Sequence, residues 1–514
     1  MFVSSPVLLR LSALLVAAML LGGCALPPPG PRPASQLLSV QQAADTRLGR
    51  ALDQRLADHP GGVSGIYPLA EPLNAFTARA LLAQGADKTL DVQYYIWADD
   101  TIGRLLFRAL HDAAERGVRV RLLLDDNGIA GLDETLAALD AHPNMEIRLF
   151  NPFPMRTPKW LGYLWDFPRL NRRMHSKSFT VDGQATIIGG RNVADEYFGA
   201  NPQSRFADLD VLALGPAARK VNQEFDRYWA SAPAYPVKKL LSDVEDPNAI
   251  LDEVLKPSDD AARYRNALAQ SDFLDRLLDE SLAMTWARVD VVSDDPEKVL
   301  GDVHKDRLMS RQLAAALEDP QNSVTLVSPY FIPGKKGVKL FSELEDRGVD
   351  VTVLTNSLAA NDVALVHSGY AKYRRALLDA GVTLFETRRA ATGADKQPRA
   401  GVMSSAASSL HAKTFAVDGE VLFIGSLNFD PRSTHLNTEI GFLIDSPELA
   451  ADMEGAFDDE VPQNAYRVTL EDGELRWHET RDGEPVTHRR EPDTSLAKRW
   501  MVKAFSLLPL EPLL

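Results

Sequence analysis

Cysteine is nearly missing from this chain of 514 residues. Cys24 is the only one, so no intramolecular disulfide is possible and the fold must rest on burial and hydrogen bonding. An excess of base is missing too: Lys and Arg number 56 against 71 Asp and Glu, a formal net charge of −15. A protein built to grip nucleic-acid backbone generally carries a basic face, so this balance weighs against a nuclease, although it leaves room for a local basic groove. Beyond residue 24 no stretch is apolar and long enough to span a bilayer. What remains, 45% apolar and 25% charged, is the composition of a globular protein, and the length suits two or three domains.

The first residues read as a targeting segment. Arg10 supplies a minimal positive region, and Leu11 to Leu21 is an apolar run of signal-peptide length. It ends in Leu21-Gly22-Gly23-Cys24, which resembles the lipobox of bacterial lipoproteins. The resemblance implies a signal peptide over 1–23 and a lipid anchor on Cys24, with the protein in the bacterial cell envelope facing the periplasm. Ala25 in place of Asp favours the outer membrane. The proline-rich run that follows cannot form a core and is expected to be an extended, semi-stiff tether at the start of a segment 24–70.

The rest is two copies of one plan. Thr89 to Trp97 alternates as a strand, Gly103 to Arg116 has an apolar helical face, Gly117 stops it, and Val118 to Leu124 is a second strand. The order returns as Val324 to Ile332, Val338 to Arg347, Gly348, and Val349 to Leu354. Strand, helix, strand implies parallel pairing with a right-handed crossover, hence an α/β fold with helices flanking its sheet. The expected division is repeat one over 71–240, a polar, acidic helical linker over 241–300, and repeat two with a C-terminal segment over 301–514.

Each repeat carries the same short motif. The first has His175-Ser-Lys177-Ser-Phe-Thr-Val-Asp182 and then Gly189-Gly190-Arg191-Asn192. The second has His411-Ala-Lys413-Thr-Phe-Ala-Val-Asp418 and then Gly425-Ser426-Leu427-Asn428. One such pattern arises by chance in very roughly one chain in ten thousand, so two in matching positions are no accident. In a strand, residues two apart share a face, so each His–Lys pair projects into one pocket. The Gly-x-x-Asn corners let backbone approach a ligand and offer amide donors. Two Lys and two Asn converging describe a receptacle for a phosphate oxyanion, with Ser426 and Gly190 at its corners. Two histidines across a phosphodiester let one attack while the other protonates the leaving oxygen, splitting a hard displacement into two steps through a phosphohistidine. Asp182 and Asp418 complete the motif; each precedes a glycine and reads as a turn former that shapes the site.

With these motifs the chain resembles the phospholipase D superfamily, in the branch similar to bacterial cardiolipin synthases. The likeness covers roughly residues 70 to 514 and extends to Tyr94-Tyr-Ile-Trp97, Arg116 to Asp126, Asn171-Arg-Arg-Met-His175, Ser328-Pro-Tyr-Phe331 and His367-Ser-Gly-Tyr370. It implies two tandem phospholipase D-like repeats, each a mixed, mostly parallel sheet with flanking helices. They would pack about a pseudo-twofold axis, bringing both motifs to one site that uses neither metal nor cofactor. It implies His175 as nucleophile and His411 as general acid and later base. It further implies a downstream acid for each histidine: Glu439 after His411, and Asp208 after His175, with Asp210 competing on the same face. Gly190 departs from the family's Gly-Ser corner and removes one hydroxyl contact.

Three activities stay open on the motifs: phosphatidyl transfer to a second phospholipid's alcohol, hydrolysis by the same intermediate, and lipid binding without turnover. The resemblance favours the first, with phospholipids at a membrane surface as partners, no nucleic acid, and a monomer because both half-sites lie in one chain. The aromatic stretch Lys159 to Phe167 reads equally as a lipid-interface element or as a lid on the protein's own core. The C-terminal segment from Trp500 to Leu514, with Lys498, Arg499 and Lys503, reads as docking on the protein in preference to membrane.

Overall fold

A computed structural model describes residues 26–511, apart from 29, 60, 202–205, 257, 302, 304, 317–318, 362, 390–408, 482 and 510. The signal segment and Cys24 lie outside the described residues.

Repeat one contributes β1 (Ser64–Leu69), β2 (Thr89–Ile96), β3 (Arg119–Gly128), β4 (Met145–Phe150), β5 (Ser178–Val181), β6 (Ala185–Gly189), β7 (Phe206–Ala207), β8 (Asp210–Leu214) and β9 (Ala234–Pro236). Repeat two supplies β10 (Thr285–Ser293), β11 (Ser323–Val327), β12 (Asp350–Asn356), β13 (Thr383–Thr387), β14 (Ser409–Leu410), β15 (Thr414–Val417), β16 (Val421–Gly425), β17 (Ile440–Asp445), β18 (Ala465–Glu471), β19 (Glu474–Arg481) and β20 (Glu484–His488). The sequence pattern accounts for the crossovers. Asp100 caps the helix Thr101–Glu115 by accepting from the Gly103 N–H, and the chain leaves it through Gly117 at φ 91°. The matching helix Gly334–Glu345 is followed by Gly348 at φ 84°.

The sheet is mixed. β2, β3 and β4 run parallel, as do β11, β12 and β13. The parallel part stops at three strands in each repeat, because only these are joined by crossover segments. The motif strands fold back as hairpins and pair antiparallel: β5 with β2 and β6, β15 with β11 and β16. The two halves are one sheet, since β1 lies between β8 and β10, antiparallel to both. Both joining strands fall where none was expected. β1 precedes the anticipated start of repeat one and carries Gly65 and Pro68, which mask its alternation. β10 closes the segment expected to be a helical linker; that segment holds the short helices Pro247–Val254, Ala262–Gln270 and Phe273–Leu278 before the strand begins. The proline-rich run also differs from a free tether. From Pro28 it lies along the protein, its carbonyl accepting from Lys239 Nζ at 3.1 Å, with Arg32 paired to Glu297 at 2.6 Å.

Each repeat has its own apolar core, built on Leu90, Val92, Val120 and Ile147 in the first and on Leu326, Val351, Val353 and Leu384 in the second. A third core joins them, where Ile188, Val211 and Ala213 meet Leu422, Ile424 and Phe442. The paired motifs sit beside this shared core.

Candidate active site

The two motif hairpins are built alike. Asp182 and Gly183 have φ of 53° and 63°, Asp418 and Gly419 of 55° and 65°: two successive left-handed residues, the signature of a type I′ turn. The Asp182 carboxylate accepts from the backbone N–H groups of Asp87, Lys88 and Thr89 at 2.8–3.0 Å. Asp418 takes those of Gln321, Asn322 and Ser323 in the same way. Both therefore tie the turn to the start of the neighbouring parallel strand, at the opposite end of the hairpin from the histidine.

His175 and His411 enter from extended segments, and here the structure corrects the expected pairing. The residue before His175, Met174, forms a parallel bridge with Thr438, and the His175 N–H donates to the Thr438 carbonyl at 2.8 Å. The residue before His411, Leu410, pairs in parallel with Ala207, and the His411 N–H donates to Ala207 at 2.7 Å. Parallel register then sets His175 beside Glu439 and His411 beside Asp208. His175 Nδ1 lies 2.8 Å from Glu439 Oε2, and His411 Nδ1 lies 2.6 Å from Asp208 Oδ2. Each imidazole is thus held by the other repeat's carboxylate, not by its own. Asp208 is the partner in repeat one; Asp210 is taken by Arg79 at 2.7 Å and by the Arg191 N–H at 3.2 Å.

Gly190 follows from the same geometry. Ser426 donates to Glu439 Oε2 at 2.5 Å and accepts from the Ile440 N–H at 3.0 Å, so its hydroxyl steadies the carboxylate instead of facing a ligand. In repeat one the acid is Asp, one methylene shorter, and a Cβ on Gly190 would overlap its carboxylate. Ser with Glu and Gly with Asp are two fillings of one space. The corner amides also differ. Asn192 is braced, its Oδ1 accepting from the Ile96 N–H at 3.2 Å and its Nδ2 donating to Tyr197 at 2.9 Å. Asn428 Oδ1 is buried with no partner among the described residues.

The lysines close the pocket. Lys177 Nζ donates to the His175 carbonyl at 2.6 Å, and Lys413 Nζ lies 2.9 Å and 3.3 Å from the two ring nitrogens of His411 while donating to its carbonyl. All four side chains are buried. Burial, which disfavours charge, and the two ammonium groups push the His175 imidazole down to about 4, against the opposing pull of Glu439. His411 falls well below the usual imidazole range through burial, Lys413 and Lys177. Burial also brings Lys177 down to about 7. Burial alone would raise Glu439, but His175, Lys177 and the Ser426 hydroxyl outweigh it and hold the carboxyl below its ordinary value. An ionised Glu439 requires Nδ1–H of His175 as donor, which leaves Nε2 with its lone pair toward the pocket.

Sequence reading missed several groups at the site. Tyr95 stands edge-on to His175 at 5.1 Å between ring centres, and Tyr197 edge-on to His411 at 5.0 Å. Alternation along β2 contained the signal for the first, since Tyr94 points to the core and Tyr95 must face the other way. Asp125, at the end of β3, accepts from the Met174 N–H at 2.8 Å and pairs with Arg173 at 3.1 Å, fixing the approach to His175. Asn356 does the same for His411, exchanging two hydrogen bonds of 2.9 Å with the Leu410 backbone. No group of three or more metal-ligating side chains occurs among the described residues.

The domain model described as "Cardiolipin synthase, PLD-like domain" matches residues 81–229 and again 313–461, one copy on each motif. The chain belongs to this phospholipase D-like family. It is 45% identical to cardiolipin synthase C of Escherichia coli (strain K12) over 474 residues, covering 91% of this chain and all of that one. Similarity to cardiolipin synthase A of Pseudomonas entomophila is 28% over 403 residues, 77% of this chain and 68% of that one. A crystal structure of phosphatidylserine synthase from Haemophilus influenzae Rd KW20 superposes with a TM-score of 0.56 over 91% of this chain and all of that one, at 15% identity, and so shares the fold.

Proposed function

We propose that this chain is a phosphatidyltransferase that makes a cardiolipin-type lipid. His175 Nε2 attacks the phosphorus of one phospholipid, the bond to its headgroup oxygen breaks, and His411 gives that oxygen a proton. A second phospholipid's hydroxyl then passes its proton to His411 and attacks the phosphohistidine, freeing His175. The two imidazoles are not equivalent: Glu439 beside His175 is held below its ordinary value by His175 and Lys177, whereas burial raises Asp208 beside His411. The observation that carries the reading is the crossed pair of imidazoles and carboxylates around two buried lysines, in a chain 45% identical to a cardiolipin synthase along its length.

Burial and the two lysines favour the neutral form of both imidazoles. An entering phosphodiester anion offsets the ammonium charge and raises the pKa of every base around it, so substrate brings the general acid within reach of its proton. Lys177, Lys413 and the corner amides of Asn192 and Asn428 meet the developing charge. Transfer is preferred to hydrolysis because the histidines and lysines are shielded from bulk water. Lipid modification at Cys24 fits the reading, since it would hold the enzyme at the envelope membrane facing the periplasm; among the described residues no helix is long and apolar enough to cross one. The test is purified protein on vesicles of phosphatidylglycerol with or without phosphatidylethanolamine. Cardiolipin with a released small alcohol supports transfer, phosphatidic acid alone supports hydrolysis, and no product would overturn both.

A further inference from the structure

Large apolar side chains exposed singly are ordinary on a protein surface; clusters of them are not. Among the described residues thirteen are exposed, and nine fall in two short segments. The first is the turn Lys159–Gly162 with the helix Tyr163–Leu170. It buries only Gly162 and Leu170, while Trp160 is 62% exposed, Leu164 71%, and Trp165 and Phe167 also face outward. Apart from Leu170 and the edge-on contact of Tyr163 with Phe153, its fastening is polar. Arg156 and Lys159 bind Asp126 at 2.5 and 2.9 Å, and Arg169 donates to Asn151 at 2.5 Å. Folding alone would choose the reverse, apolar side in and polar side out.

The second is the helix Leu496–Ser506 with the two residues after it. Only Val502 is buried, where the helix packs on Ala364–Ala371. Leu496, Trp500, Met501, Leu507 and Leu508 are exposed, and Lys503 Nζ stands 5.5 Å over the Trp500 ring. Topology relates the two segments. The first follows the C-terminal end of β4 and runs into Arg173–His175, and Ala364–Ala371 follows the C-terminal end of β12. Both leave the sheet at the end where the motif strands begin, since Ser178 pairs with Gln93 late in β2 and Thr414 with Val327 at the end of β11. The first is also wired to the chemistry: Tyr163 donates to Asn127 at 3.2 Å, Asn127 to Tyr95 at 3.4 Å, and Tyr95 abuts His175.

We propose that these two segments form one lipid-contact surface, seated on a phospholipid bilayer on either side of the catalytic pocket. Tryptophan at the rim with a cation beside it is the composition favoured where hydrocarbon meets headgroups, and Lys503 over Trp500 supplies that pairing. The choice of bilayer as occupant rests on the phosphatidyl-transfer reading. Seated this way, the surface lets a phospholipid headgroup enter the pocket while its acyl chains stay in the membrane.

The test uses the full chain with vesicles whose phospholipids carry brominated acyl chains. Tryptophan fluorescence should be quenched on binding, and most of that quenching should vanish in Trp160→Phe/Trp165→Phe/Trp500→Phe. Leu164→Gln/Leu507→Gln should lower kcat/KM on vesicles about tenfold, yet leave it unchanged on short-chain phospholipid dispersed as monomers. An unquenched wild type would overturn the proposal whatever the variants do. Equal loss on vesicles and monomers would overturn it too, making the segments part of the pocket. So would lipid-free self-association that covers these tryptophans, which would assign the surface to a second copy. Intact quenching in a protein that transfers no phosphatidyl group from any lipid would support the surface and remove the functional reading instead.

Discussion

At the scale of single residues the decisive fact is that each histidine leans on a carboxylate from the opposite repeat. Glu439→Gln should therefore slow the step that needs His175, formation of the phosphohistidine, by roughly 10²-fold or more, while Asp208→Asn impairs proton transfer at His411. Rapid-quench measurement of the intermediate separates these outcomes. Pairing within each repeat would give the opposite assignment, with Asp208→Asn slowing formation. The lysine between them yields a pH prediction. With Lys177 brought down to about 7 by burial and needed as an ammonium group, kcat/KM should fall as pH rises through about 7. A bound phosphate anion raises the Lys177 pKa, so the alkaline limb of kcat should lie at higher pH than that of kcat/KM. Coincident limbs would mean that Lys177 does not feel the substrate.

At the scale of elements, Asp182 and Asp418 belong to the scaffold. Removing the carboxylate of Asp182 leaves three buried or half-buried N–H groups without an acceptor, so Asp182→Ala should cost about 1.5–3 kcal/mol, and the more exposed Asp418→Ala less. Thermal unfolding gives the loss, and the position of the kcat/KM limbs should not move in either variant. A shifted profile would put these residues into the chemistry after all. This split could be read from sequence, because an aspartate before glycine at the end of an alternating strand has a turn to make. The crossovers were equally legible, written twice with the same glycine stops. β1 and β10 were not. Each strand gains its meaning from a neighbour far away in the chain: Gly65 and Pro68 mask the alternation of β1, and in β10 the alternation of Ala287 and Val289 with Arg288 and Asp290 follows directly on a polar segment with helical periodicity. The crossed carboxylates were hidden for a related reason. Asp208 and Glu439 each follow their own repeat's histidine at similar distances, so order along the chain suggests the nearer partner, and only the parallel bridges at Met174 and Leu410 reverse it.

At the scale of the whole molecule, the repeats share a sheet through β1 and β10, share a core, and share the pocket. Among the contacts that cross between them are the parallel pairings at Met174 and Leu410 and the two hydrogen bonds to imidazole, and neither motif is complete without these. The crossing has a genetic consequence. In an enzyme assembled from two separate single-motif subunits, lesions in different copies can be pooled, because mixed assemblies regain one good site. Here donor and recipient of each carboxylate are covalently one chain. A population carrying His175→Ala and a population carrying His411→Ala, co-expressed or mixed, should rescue nothing, and transfer measured on vesicles should stay at the level of either alone. Complementation between alleles of such a gene should therefore fail, because the strand pairings that bring the two halves together lie within one chain.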